Sequence, residues 1–280
     1  MKRILVPIDF SAPSEDAFRY ALQMAEALGA ELEVMHVFHP TPSATDLAMQ
    51  HDFDYLQNEV GKRLDAFVKR QCKKADPNNL VIRQRVTVGF AAEAIVKASK
   101  SQAIDFIVLG TRRERHFMDR LFGTVTSFVA NNTACPLLIV PEGVDRFAMR
   151  RILYATKYDP SDEEVIREVI DFASHFDAEL QLVHVHTAKD ESLELLRQPH
   201  HAPPQPESED TAVAIPIHSV SSPSVWTGLL EEAETELADL IVLVNHRRRF
   251  WNQLLHKSVT REMVLRARFP FMVFHLEDDA

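Results

Sequence analysis

The residues of this chain best suited to chemistry are Gly110-Thr111-Arg112-Arg113 and, after nine intervening residues, Gly123-Thr124. They begin where a short apolar run, Ile107-Val108-Leu109, ends, and they finish where a helical pattern begins. A glycine without Cβ lets backbone N–H groups come close to a bound anion. The unpaired N–H groups and the dipole of a helix start favour a phosphate there, and the Thr124 hydroxyl adds a donor. Asp9 closes a second apolar run, Ile4–Ile8, where its carboxylate can accept hydrogen bonds from a ribose or a base. This is the chemistry of holding a nucleotide. The chain offers no defensible Ser-His-Asp set, no paired carboxylates and no lysine-bearing phosphate loop with which to cleave one.

The elements that must position these residues can be read in order. Ile4–Ile8 predicts a buried parallel strand. Ser11 suits a helix N-cap, Pro13 the first turn, and Glu15-Asp16 the positive helix end. The following helix presents Ala17, Phe18, Ala21, Leu22, Ala25 and Leu28 to the core, and Gly29 stops it. Then come a strand over Leu32–Phe38, a loop with Pro40 and Pro42, a helix from Asp54 to Lys74, and a strand over Val81–Val88. A helix over Ala91–Ser99, a strand over Asp105–Leu109, a helix over Thr124–Asn131 and a strand over Pro136–Val140 complete the series. Strands alternating with helices predict a doubly wound parallel sheet with right-handed crossovers. Both candidate segments then fall at the carboxyl edge, where such sheets bind ligands.

The pattern occurs twice. Arg3-Ile4-Leu5 returns as Arg151-Ile152-Leu153 and Ala30-Glu31-Leu32 as Ala178-Glu179-Leu180, both 148 residues on. Ile107-Val108-Leu109 returns as Ile241-Val242-Leu243, 134 residues on. The core face of the first helix is repeated as Val165, Ile166, Val169, Ile170, Ala173 and Phe176. The shorter offset means that about fourteen residues are missing where the first copy has its long second helix. In their place stand Asp190–Arg197, read as a short helix, and a Pro- and His-rich stretch over 199–210, read as a surface loop. The expected domains are residues 1–143 and 150–280, joined by a short linker near Glu142–Met149. Of seven glycines only Gly228 lies in the second copy. There Lys157 stands for Asp9, Val244 for Gly110, Arg247 for Arg113, Lys257 for Gly123 and Ser258 for Thr124. Those replacements argue against nucleotide binding by the second copy: Cβ atoms stand where backbone approach is wanted, and lysine cannot accept a ribose hydrogen bond.

Composition narrows the class. The chain has 280 residues, 46% hydrophobic and 26% charged, with a formal net charge of −10. That charge opposes nucleic-acid binding by the surface as a whole. The basic loops, with Arg112, Arg115 and Arg120 in one copy and Arg248, Arg249 and Lys257 in the other, read as solvated segments. Phe117 and Trp251 lie within them. No apolar run reaches the roughly 18 residues of a membrane helix, and the N-terminus is charged too early for a signal peptide. Cys72 and Cys135 form no metal spacing and suit a reducing, cytoplasmic setting. Thirteen histidines likewise show no metal-ligand spacing; His36 and His184 occupy matching positions, which suggests a structural role.

Ile4-Leu5-Val6-Pro7-Ile8-Asp9-Phe10-Ser11, the set Gly110, Arg113, Gly123 and Thr124, and Cys135-Pro136-Leu137-Leu138-Ile139-Val140-Pro141 together resemble the universal stress proteins, here in tandem. The resemblance covers both halves. It implies an α/β fold of two doubly wound units, each a five-stranded parallel sheet flanked by helices, of the adenine-nucleotide alpha-hydrolase type. It also implies a stress-response protein in which ATP or a related adenine nucleotide, with Mg²⁺ as counter-ion, acts as a sensor or switch ligand. Asp9 would contact the ribose, Val37 the adenine through its backbone, and Gly110, Gly123, Thr124 and Val125 the phosphates and ribose. Arg113 departs from the family's middle glycine: it either pairs with a phosphate, strains the loop or blocks the site. A nucleotide-free scaffold for an unidentified protein partner and a slow ATPase are the alternatives. The closing strands, Leu137–Val140 and Phe271–Phe274, are expected to pair the copies as an intramolecular pseudo-dimer, with homodimerisation of the whole chain left open.

Overall fold

The structure, a computed structural model, describes residues 2–39, 49–75, 80–100, 104–112, 124–156, 162–187, 217–245 and 269–275. The chain divides into two compact units that separate at Phe147 and Ala148.

Unit 1 contains β1 (Arg3–Pro7), α1 (Ala12–Leu28), β2 (Glu31–Phe38), α2 (Met49–Ala75), β3 (Ile82–Val88), α3 (Ala91–Lys100), β4 (Phe106–Thr111), α4 (Thr124–Asn132) and β5 (Leu137–Pro141). Its strands are parallel and ordered β3-β2-β1-β4-β5. Strand order reverses between β1 and β4, so the crevice outside their carboxyl ends is the topological switch point of this unit. Val6 pairs in register with Val34, Leu5 with Ile107, and Gly110 with Val140. β4 therefore runs two residues past the expected end at Leu109, because Gly110 and Thr111 still ladder with β5. α2 begins at Met49, five residues before the expected Asp54.

α1 shows how the sequence makes the fold. Ala17, Phe18, Ala21, Leu22 and Ala25 are fully buried, as their spacing requires, while Leu28 is only half-buried. Burial of Phe18 or Leu22 stabilises by about 1.5–3 kcal/mol each. Gly29 ends the helix at φ 58°, and the amides of Gly29 and Ala30 return to the carbonyls of Glu26 and Ala25. Ser11 occupies the N-cap position, but its hydroxyl makes no cap bond; it turns back to Asp9 instead.

Unit 2 repeats the plan with β6 (Arg151–Ala155), α5 (Asp162–Ser174), β7 (Glu179–His186), β8 (Ile217–Ser221), α6 (Val225–Thr235), β9 (Leu240–Asn245) and β10 (Phe271–His275). Its strands are also parallel, ordered β10-β9-β6-β7-β8. Val165, Val169 and Ala173 of α5 are buried, but Ile166 and Phe176 are half-buried and Ile170 is 36% exposed. In unit 1 the corresponding helix face meets α2, where Phe18 packs edge-on against Phe67. Among the described residues of unit 2 no helix matches α2. The expected short helix over Asp190–Arg197 and the Pro- and His-rich stretch lie outside the described residues, as do Phe117 and Trp251.

One duplicated contact explains the matched histidines. His36 Nδ1 lies 2.6 Å from the Ile8 carbonyl, and His184 Nδ1 lies 2.9 Å from the Thr156 carbonyl. In each unit the ring donates to the carbonyl just beyond the first strand, where the sheet ladder stops.

Candidate functional site

Asp9 follows β1 at the switch point and is exposed. Its Oδ1 accepts hydrogen bonds from both the amide and the hydroxyl of Ser11. Partial burial pushes the Asp9 carboxyl up, but the Ser11 hydroxyl and amide, the Ser14 hydroxyl and the positive Arg112 together outweigh it. The net effect holds the carboxyl below its ordinary value, so Asp9 is an anionic acceptor at neutral pH. Composition and periodicity do not mark Ser11 and Ser14 as Asp9 partners. The Asp-x-Ser spacing is a local signal that finds the first of them, because an aspartate bonds the backbone two residues on.

Phe10 sits between Asp9 and the helix at φ 63°, in the left-handed region. Such a conformation costs about 1–2 kcal/mol for a residue with Cβ, so packing must hold it. The ring lies 4.5 Å from His36 and 5.7 Å from Phe67, with the Arg63 guanidinium 4.2 Å above it. This clamp fixes the turn that presents Asp9.

Gly110 lies near the end of β4 beside the same crevice, and its lack of a side chain has a packing reason. A Cβ there would lie 2.1 Å from the Pro13 carbonyl oxygen and 2.4 Å from its carbon. The glycine admits the first turn of α1 against the strand. Arg112, the next residue but one, faces Asp9 electrostatically. Val125 is half-buried in the first turn of α4. Of Thr124 only the backbone, at the start of α4, is described. Arg113 and Gly123 lie outside the described residues, as do Lys157, Arg247, Lys257 and Ser258 of the second copy.

Val37 lies near the carboxyl end of β2 and pairs in register with Thr87. A cavity of about 410 Å³ opens between α3 and this part of the sheet, with Met35, Thr87, Val88, Phe90 and Ala94 among its walls and Arg85 and Lys97 at its rim. Strand alternation puts Val37 on the same sheet face as Met35. In unit 2 the residue matching Ala94 is Gly228, and α6 approaches β7 so closely that a Cβ on Gly228 would lie 2.7 Å from Val185. The corresponding space in unit 2 is narrowed by the helix itself. Val244, the counterpart of Gly110, is buried.

Other chemistry is weak. Cys72 and Cys135 are free, and burial pushes the Cys135 thiol up to about 11, so it is a protonated core residue. Among the described residues no helix is long and apolar enough to cross a membrane.

Comparison with known proteins agrees with this architecture. The sequence model of the Universal stress protein family matches residues 1–141 and again 149–275. A universal stress protein of Mycolicibacterium smegmatis is 25% identical over 299 residues, covering 96% of each chain. The crystal structure of a universal stress protein from Archaeoglobus fulgidus covers 97% of both chains at 20% identity with a TM-score of 0.70. A universal stress protein family protein from Arabidopsis thaliana, solved with AMP bound, covers 52% of this chain at 18% identity with a TM-score of 0.37. Two matches of one family model, spanning two units of like plan, settle the ancestry: the chain belongs to the universal stress protein family.

Proposed function

We propose that unit 1 binds ATP or a related adenine nucleotide at its switch point and that unit 2 does not. The observation that carries this reading is Asp9. It is a carboxylate kept ionised by Ser11, Ser14 and Arg112, held on a strained turn beside the end of β4. An exposed, pre-oriented anion at a sheet's carboxyl edge is suited to accept ribose hydroxyls. The cavity lined by Met35, Thr87 and Val88 has the volume and apolar walls that suit a base. The start of α4, at Thr124 and Val125, offers amides and a dipole for phosphates. Gly123, Thr124 and Arg113 would complete the phosphate contacts, and Mg²⁺ would accompany them as counter-ion. In unit 2 the Lys157, Val244 and Lys257 replacements and the close approach of α6 to β7 disfavour the same ligand.

Binding of this kind acts as a switch, since the ligand favours whichever arrangement of the site loops it contacts better. Catalysis forms no part of the proposal. The test is to purify the chain without added ligand, denature it and identify released small molecules by mass spectrometry. An adenine nucleotide at a stoichiometry near one supports the reading. Its absence, with no uptake after incubation with ATP and Mg²⁺, favours a ligand-free scaffold. Phosphate release that scales with protein and dies with a single substitution would make the protein an ATPase instead.

A further inference from the structure

We propose that unit 2 carries a binding site for a divalent transition-metal ion, zinc in the first instance, formed by His218 on β8 and by Glu232 and Glu236 at the end of α6. One ligand atom from each of the three residues lies within 4.8 Å of the others. A tetrahedral zinc ion with nitrogen and oxygen ligands at about 2.0–2.2 Å wants them about 3.3–3.5 Å apart. Small side-chain rotations close the difference. His218 and Glu232 are already in contact, Nδ1 to Oε1, at 3.0 Å.

The backbone fixes the three residues independently of any ion. Glu232 and Glu236 are four apart, hence on one helix face, and Glu236 is the C-cap of α6. His218 pairs in register with Val183 on the edge strand of the sheet. Supporting groups are also in place. Gln181 Nε2 donates to Glu232 Oε1 at 3.1 Å, and the Arg151 guanidinium donates to the Glu236 carbonyl at 2.7 Å, which holds the helix end. Outer contacts of this kind orient metal ligands.

The local charge is compatible with a bound cation. The last turn of α6 carries no basic residue, yet it carries these carboxylates at the negative end of the helix dipole. Among the described residues, neither Glu232 nor Glu236 forms an ion pair with a lysine or arginine; His218 is the one basic partner. Arg151 compensates the helix end through the Glu236 carbonyl and pairs with Glu179, and a cation between the two carboxylates would add to that compensation.

Unit 1 acts as an internal control. By register, Arg85 takes the place of His218, and at an offset of 134 residues Ala98 takes that of Glu232. There the charge is settled internally, by the Arg85–Glu33 ion pair at 2.5 Å. Unit 2 has histidine where unit 1 has that arginine, and Glu232 where unit 1 has Ala98.

The ligand set selects the ion. Imidazole with carboxylates suits zinc, nickel and copper, whereas calcium and magnesium seek six or more oxygens. Three protein ligands leave a fourth position for water. The site lies at the amino edge of the sheet, because α6 runs antiparallel to the strands and ends there. It is therefore separate from the carboxyl edge at which a nucleotide would bind.

The test uses the full chain, stripped with chelator and dialysed against ZnCl₂ at graded concentrations. We expect one high-affinity equivalent per chain and a zinc-dependent rise in Tm. Affinity should fall at least about tenfold in His218→Ala, Glu232→Gln and Glu236→Gln alike. It should be kept in a His200→Ala/His201→Ala double variant. Co²⁺ as probe should give a visible d–d spectrum that the same three substitutions abolish. If His218→Ala fails to fold, Glu236→Gln at the helix end decides alone, since it changes neither size nor shape. Zinc binding weaker than about 100 µM, or unchanged in Glu236→Gln, or lost in the His200/His201 variant, would overturn the proposal.

Discussion

Alanine at position 110 should be among the most damaging single-methyl additions in this protein. The added Cβ would meet three backbone atoms of α1: the Pro13 carbonyl oxygen at 2.1 Å, its carbon at 2.4 Å and the Ser14 nitrogen at 3.0 Å. Ordinary contact begins near 3.4–3.5 Å, so the first turn of the helix must recede by about 1.3 Å. No side-chain rotation can relieve a clash with main chain. That turn carries Ser11 and Ser14, which hold Asp9, and the next one buries Ala17 and Phe18 completely. The cost should therefore lie at the upper end of overpacking penalties, about 3 kcal/mol. Gly61→Ala is the matched control: it lies within α2 with nothing inside 4 Å of the added methyl. Helix propensity alone then predicts a gain of about 0.5–1 kcal/mol. The assay is urea unfolding followed by far-UV circular dichroism, with hydrogen exchange of the α1 amides to locate the effect. A Gly110→Ala protein within about 0.5 kcal/mol of the parent would refute the packing argument.

Three further outcomes follow from the same geometry. Asp9 has its carboxyl depressed below 3.8, so its contribution to stability is complete above the unfolded value and disappears as pH falls through the lower, folded one; Asp9→Asn should flatten that part of the acid limb in pH-dependent unfolding, and an unchanged limb would contradict the assignment. Phe67→Ala should cost about 3–4 kcal/mol in urea unfolding, because Phe67 is buried and packs edge-on against both Phe18 and Phe10. At pH 8 iodoacetamide should alkylate Cys72, which is half-buried, well before Cys135, whose thiol is pushed up to about 11; equal rates would mean that the Cys135 site opens freely.

Much of the fold was legible because the sequence states it twice. The strands β1 and β6 and the strands β2 and β7 stand 148 residues apart, and β4 and β9 stand 134 apart, as the identities indicate. What local pattern could not convey was tertiary. The run Asp105–Leu109 looks finished at its glycine, but Gly110 and Thr111 continue to pair with β5. The six apolar positions of α5 look equivalent to those of α1, yet Ile170 is exposed because exposure depends on what covers a face and not on the face itself. Ser11 reads as a capping residue, and only the folded turn shows its hydroxyl committed to Asp9. Gly110 reads as a place for a phosphate, and only the fold shows that it also admits the backbone of α1. The metal-ligand cluster of unit 2 was illegible because His218 and Glu232 are fourteen residues apart and meet only through a strand-to-helix crossover.

The proposed nucleotide seat lies against Asp9 in unit 1 alone. Isothermal titration of the intact, ligand-stripped chain with ATP and Mg²⁺ tests it most directly. One binding event per chain, abolished by Asp9→Ala and unaltered by Glu236→Gln in unit 2, is the predicted result. Two equivalents, none, or binding that survives Asp9→Ala would contradict it.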